Sequence, residues 1–364
     1  MNIGIDGRVL VGNLAGTGRY VYEICRRLDY LFPEANFYVF SSCVVNKPCE
    51  NARWHYCVDS FPFASKLKPV IWLKLRCGFL ARSIDLDIFW GTSHFLPFLN
   101  KKVTTILTVH DLVAKLYPNT LTFTHWLSHF LFFSSDILRA NHVAVNSNGT
   151  GTRLFNWLGR KADVVVRPAI SDFWGVRTDS LVEDTFASLN IEKKFILAVG
   201  TREPRKNLNE LINAFIELKN SGSLEGYQLV IAGGKGWLTH ELSNDLAKYS
   251  FYDIKFLGFV SDEALRELYT RCALFVFPSI YEGYGIPIIE AISSGANVLA
   301  SDTLETREAG GEGASYFPVQ TGSLQSSIIN ALNANSKIRR SDPPMWRTEA
   351  EKFSKLILQA YLKQ

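Results

Sequence analysis

The sequence predicts an α/β fold built from two Rossmann-like domains, each a doubly wound parallel sheet, and three observations carry that prediction. The chain has 364 residues, more than one ordinary hydrophobic core organises and enough for two domains of similar size. Short apolar runs of strand length alternate with amphipathic helical stretches, the pattern of parallel sheets joined by crossover helices. The alternation restarts after Val164-Val-Val-Arg-Pro-Ala-Ile-Ser-Asp172, where a strand runs into a proline. The expected division is residues 1–168, joined by a returning C-terminal helix at 346–364, and residues 169–345. The two domains are expected to face each other across a cleft.

The elements follow in order. Asn2–Ile5 reads as a strand, and Thr17–Leu31 as a helix with Tyr20, Ile24 and Leu28 on one face. Phe37–Ser41, Ile88–Trp90, Val103–Val109 and His142–Asn146 are the further strands of the first half. Phe195–Gly200, Gln228–Ala232, Lys255–Phe256, Leu274–Phe277 and Val298–Ala300 repeat the scheme in the second. A final helix around Met345–Leu362 is free to cross back onto the first domain. No internal repeat, low-complexity tract or long linker interrupts the pattern.

Composition narrows the class. Hydrophobic content of 47% with 20% charged residues is that of a folded globular protein rather than a disordered one. A net charge of +4 permits binding to phosphates or anionic surfaces and falls short of a nucleic-acid binder's footprint. The six cysteines show no CxxC or CxxH spacing and read as reduced, packed thiols. The N-terminus, Met1-Asn-Ile-Gly-Ile-Asp-Gly-Arg8, carries charges inside its apolar stretch and has no signal-peptide pattern. No uncharged apolar window of about 18 residues offers a membrane span. The expected location is the cytoplasm, with the cytoplasmic face of the inner membrane as the alternative.

Chemistry concentrates in two stretches of the second half. In Pro278-Ser-Ile-Tyr-Glu-Gly-Tyr-Gly-Ile-Pro-Ile-Ile-Glu-Ala291 a strand runs into a loop with Glu282, Gly283 and Gly285, and a helix is expected from Pro287 with Glu290 in its first turn. Glycines let the backbone approach a bulky anion, and a helix N-terminus offers it free N–H groups. The flanking carboxylates suit sugar hydroxyls, so the arrangement fits a nucleotide sugar. In Val199-Gly-Thr-Arg-Glu-Pro-Arg-Lys-Asn207 a strand ends at Gly200, and a helix is expected near Asn207, a favoured N-cap residue. Arg205 and Lys206 then stand at the carboxyl edge of a parallel sheet, where open α/β folds bind ligands. Two adjacent cations there suit a diphosphate: arginine forks onto two oxygens and lysine adds a point charge.

Gly200–Asn207, Gly258-Phe-Val-Ser-Asp262 and Pro278–Ala291, in this order and spacing, resemble glycosyltransferase family 4, retaining enzymes of the GT-B fold. Gly16-Thr-Gly-Arg-Tyr20 and Val109-His-Asp-Leu112 resemble that family's first-domain motifs, so the resemblance covers nearly the whole chain. It implies that Arg205 and Lys206 grip a donor diphosphate and stabilise it as leaving group. It implies that Glu282 lies by the transferred sugar, Glu290 by the ribose, and His110 at the cleft edge near that sugar. Gly16, Gly18, Gly200, Val260, Gly283, Tyr284, Gly285 and Ile286 complete the implied donor contacts, with Phe259 and Val260 as the wall beside the base and Gly16 and Gly18 in a loop. Relatives often read Pro-Glu-Val where this chain has Arg307-Glu308-Ala309, so no role is assigned to Glu308.

Elementary chemistry agrees with this mapping. Breaking a sugar–diphosphate bond develops negative charge on the leaving phosphate, and preorganised cations stabilise it without a metal. No metal or other cofactor is therefore expected. Asp111 is a fallback base, with local capping the plainer role. Asp85-Leu-Asp87 has the Asp-x-Asp form of a metal site, but two carboxylates alone make a poor cage. His125 and His129 have zinc spacing but lack the intervening catalytic glutamate. Gly16-x-Gly18 lacks the third glycine and the distant acidic residue of a dinucleotide site.

In the first domain, segment 60–84 interleaves Lys66, Lys68, Lys74, Arg76 and Arg82 with aromatics such as Phe61, Phe63, Trp72 and Phe79, and segment 122–138 adds the aromatics Phe123, Trp126, Phe130 and Phe133. Such faces suit an anionic lipid surface or, alternatively, a core-facing helix with a solvated basic edge. The expected function is transfer of a hexose, foremost mannose from GDP-mannose, onto a lipid-linked or growing surface polysaccharide. A UDP- or dTDP-sugar donor, a catalytically silent nucleotide-sugar-binding scaffold, and a GT-B epimerase or phosphorylase remain the alternatives.

Overall fold

The computed structural model describes residues 1–14, 16–175, 189–234, 236, 246–319, 322–334 and 343–363. The chain divides into two compact units, Met1–Ala169 with Pro344–Gln364, and Ile170–Pro343.

Unit 1 is wound around a seven-stranded parallel sheet. Its strands are β1 (Asn2–Asp6), β2 (Asn36–Ser41), β3 (Trp54–Val58), β4 (Ile88–Gly91), β5 (Thr104–Val109), β6 (His142–Val145) and β7 (Val164–Val165). They lie in the order β3-β2-β1-β4-β5-β6-β7. Unit 2 has six parallel strands, β8 (Lys194–Val199), β9 (Tyr227–Ala232), β10 (Ile254–Gly258), β11 (Leu274–Phe277), β12 (Val298–Ser301) and β13 (Ser315–Phe317), in the order β10-β9-β8-β11-β12-β13. In each sheet the winding starts in the middle and reverses beside the first strand, between β1 and β4 and between β8 and β11. Open α/β sheets bind ligands at that reversal, outside the carboxyl ends of the strands.

Central strands are buried along their whole length, as β4, β11 and β12 are, which is why they read as unbroken apolar runs. The sequence pattern misses β3 and β13, and both stand at sheet edges. An edge strand keeps part of its surface in water, so Trp-His-Tyr-Cys-Val and Ser-Tyr-Phe carry no such signature.

In unit 1 the helix Gly16–Leu31 lays Tyr20, Ile24 and Leu28 on the sheet. Beside it the C-terminal helix Trp346–Leu362 buries Trp346, Phe353 and Ile357 in the same core. Buried polar groups fix the seam: the Tyr20 hydroxyl donates to the Val166 carbonyl at 3.1 Å, and Glu349 Oε2 accepts the Arg167 backbone N–H at 2.8 Å. Gly16 and Gly18, expected in a loop, lie instead in the first turn of the helix. A Cβ on Gly18 would stand 2.5 Å from the Val9 carbonyl oxygen, so this glycine lets the helix close onto the preceding segment.

Segment 60–84, open from the sequence to a lipid-facing or a core-facing reading, shows features of both. It is helical as Pro69–Trp72, Leu73–Cys77 in π form, and Gly78–Ala81. Lys74 turns inward, is buried, and donates to Asp136 at 2.6 Å and to the Leu96 carbonyl at 2.9 Å. Burial pulls its ammonium down to about 8, against the opposing pull of Asp136. Arg76 forks onto Asp59, which also accepts the Trp72 indole N–H and the Phe61 backbone N–H. These two cations anchor the segment rather than facing outward. Phe63, Leu75 and Phe79 point to solvent, as do Phe123 and Phe130 of the helix Phe123–Arg139. No helix of the described residues is long and apolar enough to cross a membrane.

Glu349→Ala deprives the Arg167 amide of its acceptor inside the core and is expected to lower stability by about 2 kcal/mol. Chemical denaturation checks this, and an unchanged midpoint would show that the seam does not depend on the carboxylate.

Candidate functional site

The site assembles at the reversal in unit 2, from the segments that leave the adjacent strands β8 and β11. After β8 the chain passes through Gly200 at φ +154°, where a Cβ would press within 3.3 Å of the Lys206 side chain. After β9 it passes through Gly233 at φ +140°, where a Cβ would fall 2.0 Å from the Gly200 carbonyl oxygen. Two strand ends thus run too close together for side chains, and this brings the following turn over the sheet edge. Gly233 carries no recognisable motif, and sequence reasoning missed it.

Pro204–Lys206 forms a single 3-10 turn. Asn207 takes the expected N-cap position of the helix Leu208–Asn220, but in a left-handed conformation, with its amide turned to Glu210 instead of capping the backbone. The turn is stitched to the loop after β11 at two points: Ile280 N–H donates to the Arg205 carbonyl at 2.9 Å, and the Arg205 side chain donates from Nη1 to the Tyr281 carbonyl at 2.9 Å.

Side chains complete the junction. Arg205 Nη1 donates to Glu282 Oε2 at 2.5 Å, and its Nη2 to Glu203 Oε1 at 2.6 Å. Lys206 Nζ donates to Glu282 Oε1 at 2.7 Å and sits 5.4 Å from the centre of the Phe277 ring. The side chains of Arg205, Lys206 and Glu282 are 17%, 13% and 11% exposed, so water screens these pairs far less than surface ion pairs. Burial pushes the Glu282 carboxyl up, but Arg205 and Lys206 overcome it and hold the group at about 2. Two cations face two carboxylates, and the cluster is formally neutral. Glu203 is its missed member: in the sequence it is one more charge beside a proline.

The remaining predicted residues fall into three sets. Gly283, Tyr284, Gly285 and Ile286 continue from Glu282, with Gly285 at φ +126° as N-cap of the helix Ile286–Ser293. That helix begins one residue earlier than expected, so Glu290 is its fifth residue, in the second turn rather than the first, and is buried. The loop geometry set by Gly285 moves the start. Val260 is half-buried in the loop after β10, while Phe259 beside it is 78% exposed. Gly16, Gly18 and His110 belong to unit 1.

His110 is buried past the end of β5, its Nε2 donating to the Thr92 carbonyl at 2.8 Å, and burial lowers its pKa. Asp111 Oδ1 accepts the Val113 N–H at 3.0 Å, a local cap. Asp87 Oδ2 accepts the Asn2 N–H at 2.7 Å and so secures the start of β1. His129 Nδ1 donates to the His125 carbonyl at 2.8 Å, one helical turn back. Glu308 lies half-buried on the helix Leu304–Gly310.

Chemically, a diphosphate arriving at this edge meets a guanidinium and an ammonium already held in place. A carboxylate that shares both cations stands where sugar hydroxyls could replace part of its bonding.

Known glycosyltransferases are similar to the chain. The chain matches the family described as glycosyl transferases group 1 over residues 182–341. It is 27% identical over 348 residues to O-antigen chain mannosyltransferase B of Escherichia coli, covering 89% of this chain and 88% of that protein. It is also 27% identical over 304 residues to O-antigen chain mannosyltransferase RfbU of Salmonella typhimurium (strain LT2), covering 80% of this chain and 79% of that one. In fold it is similar to sucrose-phosphate synthase of Thermosynechococcus elongatus, with a TM-score of 0.72 at 16% identity over the full length of both chains. The chain therefore has the GT-B fold and resembles O-antigen mannosyltransferases in sequence.

The depressed Glu282 carboxyl makes a signed prediction. Its folded pKa lies below the unfolded value, so its stabilisation is present above pH 5 and is lost as pH falls towards about 2. The lost contribution is on the order of 3 kcal/mol. Glu282→Gln is expected to flatten the fall of stability with acid in urea melts between about pH 5 and 3. Identical slopes for the two proteins would remove the ion cluster from the account.

Proposed function

We propose that this chain is a retaining, metal-independent glycosyltransferase that moves mannose from GDP-mannose onto a lipid-linked or growing surface polysaccharide of the O-antigen type. The observation that carries this reading is the junction of Arg205 and Lys206 with Glu282 at the winding reversal of unit 2. The similarity to mannosyltransferases of O-antigen chains supports the choice of sugar and acceptor.

In this proposal unit 2 holds the donor and unit 1 the acceptor. The acceptor hydroxyl oxygen forms a bond to the anomeric carbon while the bond from that carbon to the diphosphate oxygen breaks. The bonding pair leaves with the diphosphate, where Arg205 and Lys206 take up the growing charge. The acceptor's proton passes to a leaving phosphate oxygen on the same face, which keeps the anomeric configuration and requires no protein nucleophile. Fixed cations supply the electrostatic stabilisation that a metal provides in other enzymes of this chemistry. Glu282 orients both cations, and its shared oxygens lie where the sugar hydroxyls would compete for them. Glu290 is assigned to the ribose and Val260 to the side of the base.

Peripheral contact with the inner membrane's cytoplasmic face follows from the same acceptor. Phe63, Leu75, Phe79, Phe123 and Phe130 are each more than half exposed on unit 1, and Lys66 lies 5.4 Å from the Phe63 ring centre. Apolar side chains that enter a headgroup region beside lysines fit an anionic lipid surface.

Three measurements check the proposal. In a melting panel of GDP, UDP and dTDP, GDP at one hundred times its Kd is expected to add about 2.7 kcal/mol, and Lys206→Ala to abolish donor-dependent release of GDP in the presence of acceptor. A shift with UDP or dTDP alone would change the donor, and a shift with none of the three would remove the donor site. On phosphatidylethanolamine vesicles containing phosphatidylglycerol the chain is expected to co-float at low salt and less at high salt, with Phe79→Asp and Phe130→Asp each weakening it. Flotation unaffected by either substitution would place the contact elsewhere.

A further inference from the structure

Unit 1 has its own winding reversal, between β1 and β4, and the residues leaving the carboxyl ends there are chemically distinctive. β1 is followed by Arg8, which forks onto buried Asp6 and reaches the Ser93 carbonyl at 3.4 Å. β4 is followed by Thr92, whose hydroxyl donates to the Asp6 carbonyl at 2.8 Å, and then by His94. β5 is followed by His110, and His129 joins from the helix Phe123–Arg139. The His94 ring centre lies 5.7 Å from those of both His110 and His129. Phe133, itself buried, holds His94 and His129 edge-on at 5.3 and 5.2 Å.

Carbonyl oxygens only accept, so two of the tautomers are fixed. His110 donates from Nε2 to Thr92, leaving Nδ1 as its acceptor, and His129 donates from Nδ1 to His125, leaving Nε2. Burial lowers the pKa of all three imidazoles, that of His94 to about 3, so the ring is neutral at pH 7. His94 combines two costly features. Its backbone is left-handed, at φ +62°, and its Nδ1 is shielded from solvent with no hydrogen-bond partner among the described residues. A residue kept only for packing needs neither, whereas strain and an unused buried nitrogen together mark a place prepared for a ligand. A metal does not suit it: among the described residues no three His, Cys, Asp or Glu side chains converge as ligands.

We infer that His94 and His129 form, beside His110, a subsite that accepts hydrogen bonds from the hydroxyls of one pyranose ring of the acceptor glycan. This rests on the assignment of the acceptor to unit 1. Hydroxyls are donors that match neutral imidazole nitrogens, and the ring positions are set by Phe133 before any ligand arrives. His94 and His129 act on which sugar is held, not on bond breaking.

The test is a titration of the full chain, labelled with 15N-histidine, with the methyl glycosides of mannose, galactose and glucose, and separately with GDP. At least one glycoside is expected to move the imidazole resonances of His94 and His129, with GDP leaving them in place. If no glycoside moves either, the inference is overturned, whatever GDP does. If a glycoside moves them and GDP fails to raise the melting temperature, the subsite stands and the donor reading falls. Two variants separate binding from packing. His94→Asn, tolerated in a left-handed conformation, and His129→Phe, which keeps the ring, are each expected to raise the acceptor KM about tenfold with kcat and GDP affinity nearly unchanged. A lower melting temperature with an unmoved acceptor KM would reduce both residues to packing and contradict the proposal.

Discussion

Unit 2 depends on a shared carboxylate. Glu282 lies between Arg205 and Lys206, and through them it joins the turn after β8 to the loop after β11. Each cation alone in so dry a position would carry a large desolvation cost, and so would the carboxylate. Together they satisfy one another, and the backbone bond from Ile280 to Arg205, with the Arg205 guanidinium bond to the Tyr281 carbonyl, fixes their spacing. Removing a member leaves its partners less well compensated, at a cost in stability. The same feature that steadies the fold presents two oriented cations at a sheet edge.

Much of this was legible in the sequence, for identifiable reasons. Central strands are buried on both faces and read as apolar runs, so β4, β11 and β12 were visible, while the edge strands β3 and β13 were not. The helix face of Tyr20, Ile24 and Leu28 follows from periodicity alone. Arg205, Lys206 and Glu282 stand in motifs, and strand ends place motifs. Tertiary pairing was not legible. Glu203 looks like an ordinary charge until Arg205 reaches it, and Gly233 matters only because Gly200 passes beside it. Lys74 and Arg76 looked like a basic surface because their partners, Asp136 and Asp59, lie 62 and 17 residues away in sequence.

Both units use one topological device for different chemistry. At the reversal of unit 2 the side chains are charged and mutually neutralised, a setting that suits an anion able to compete for the cations. At the reversal of unit 1 an Arg8–Asp6 pair lies near a group of neutral imidazoles, a setting that suits uncharged hydroxyls. Burial drives the difference in both directions: it lowers the histidines, whereas nearby cations override it at Glu282. A transferase that joins a charged donor to a neutral glycan needs one setting of each kind.

The central claim is that Arg205 and Lys206 take hold of a donor diphosphate. Phosphorus-31 spectra of GDP bound to the chain test it most directly, because the β-phosphorus reports its own neighbours. The account predicts that the chain displaces the β-phosphorus resonance, and that the paired substitution Arg205→Gln and Lys206→Gln abolishes the displacement in a protein that still folds. An equal displacement in the substituted protein would put the diphosphate elsewhere and contradict the account.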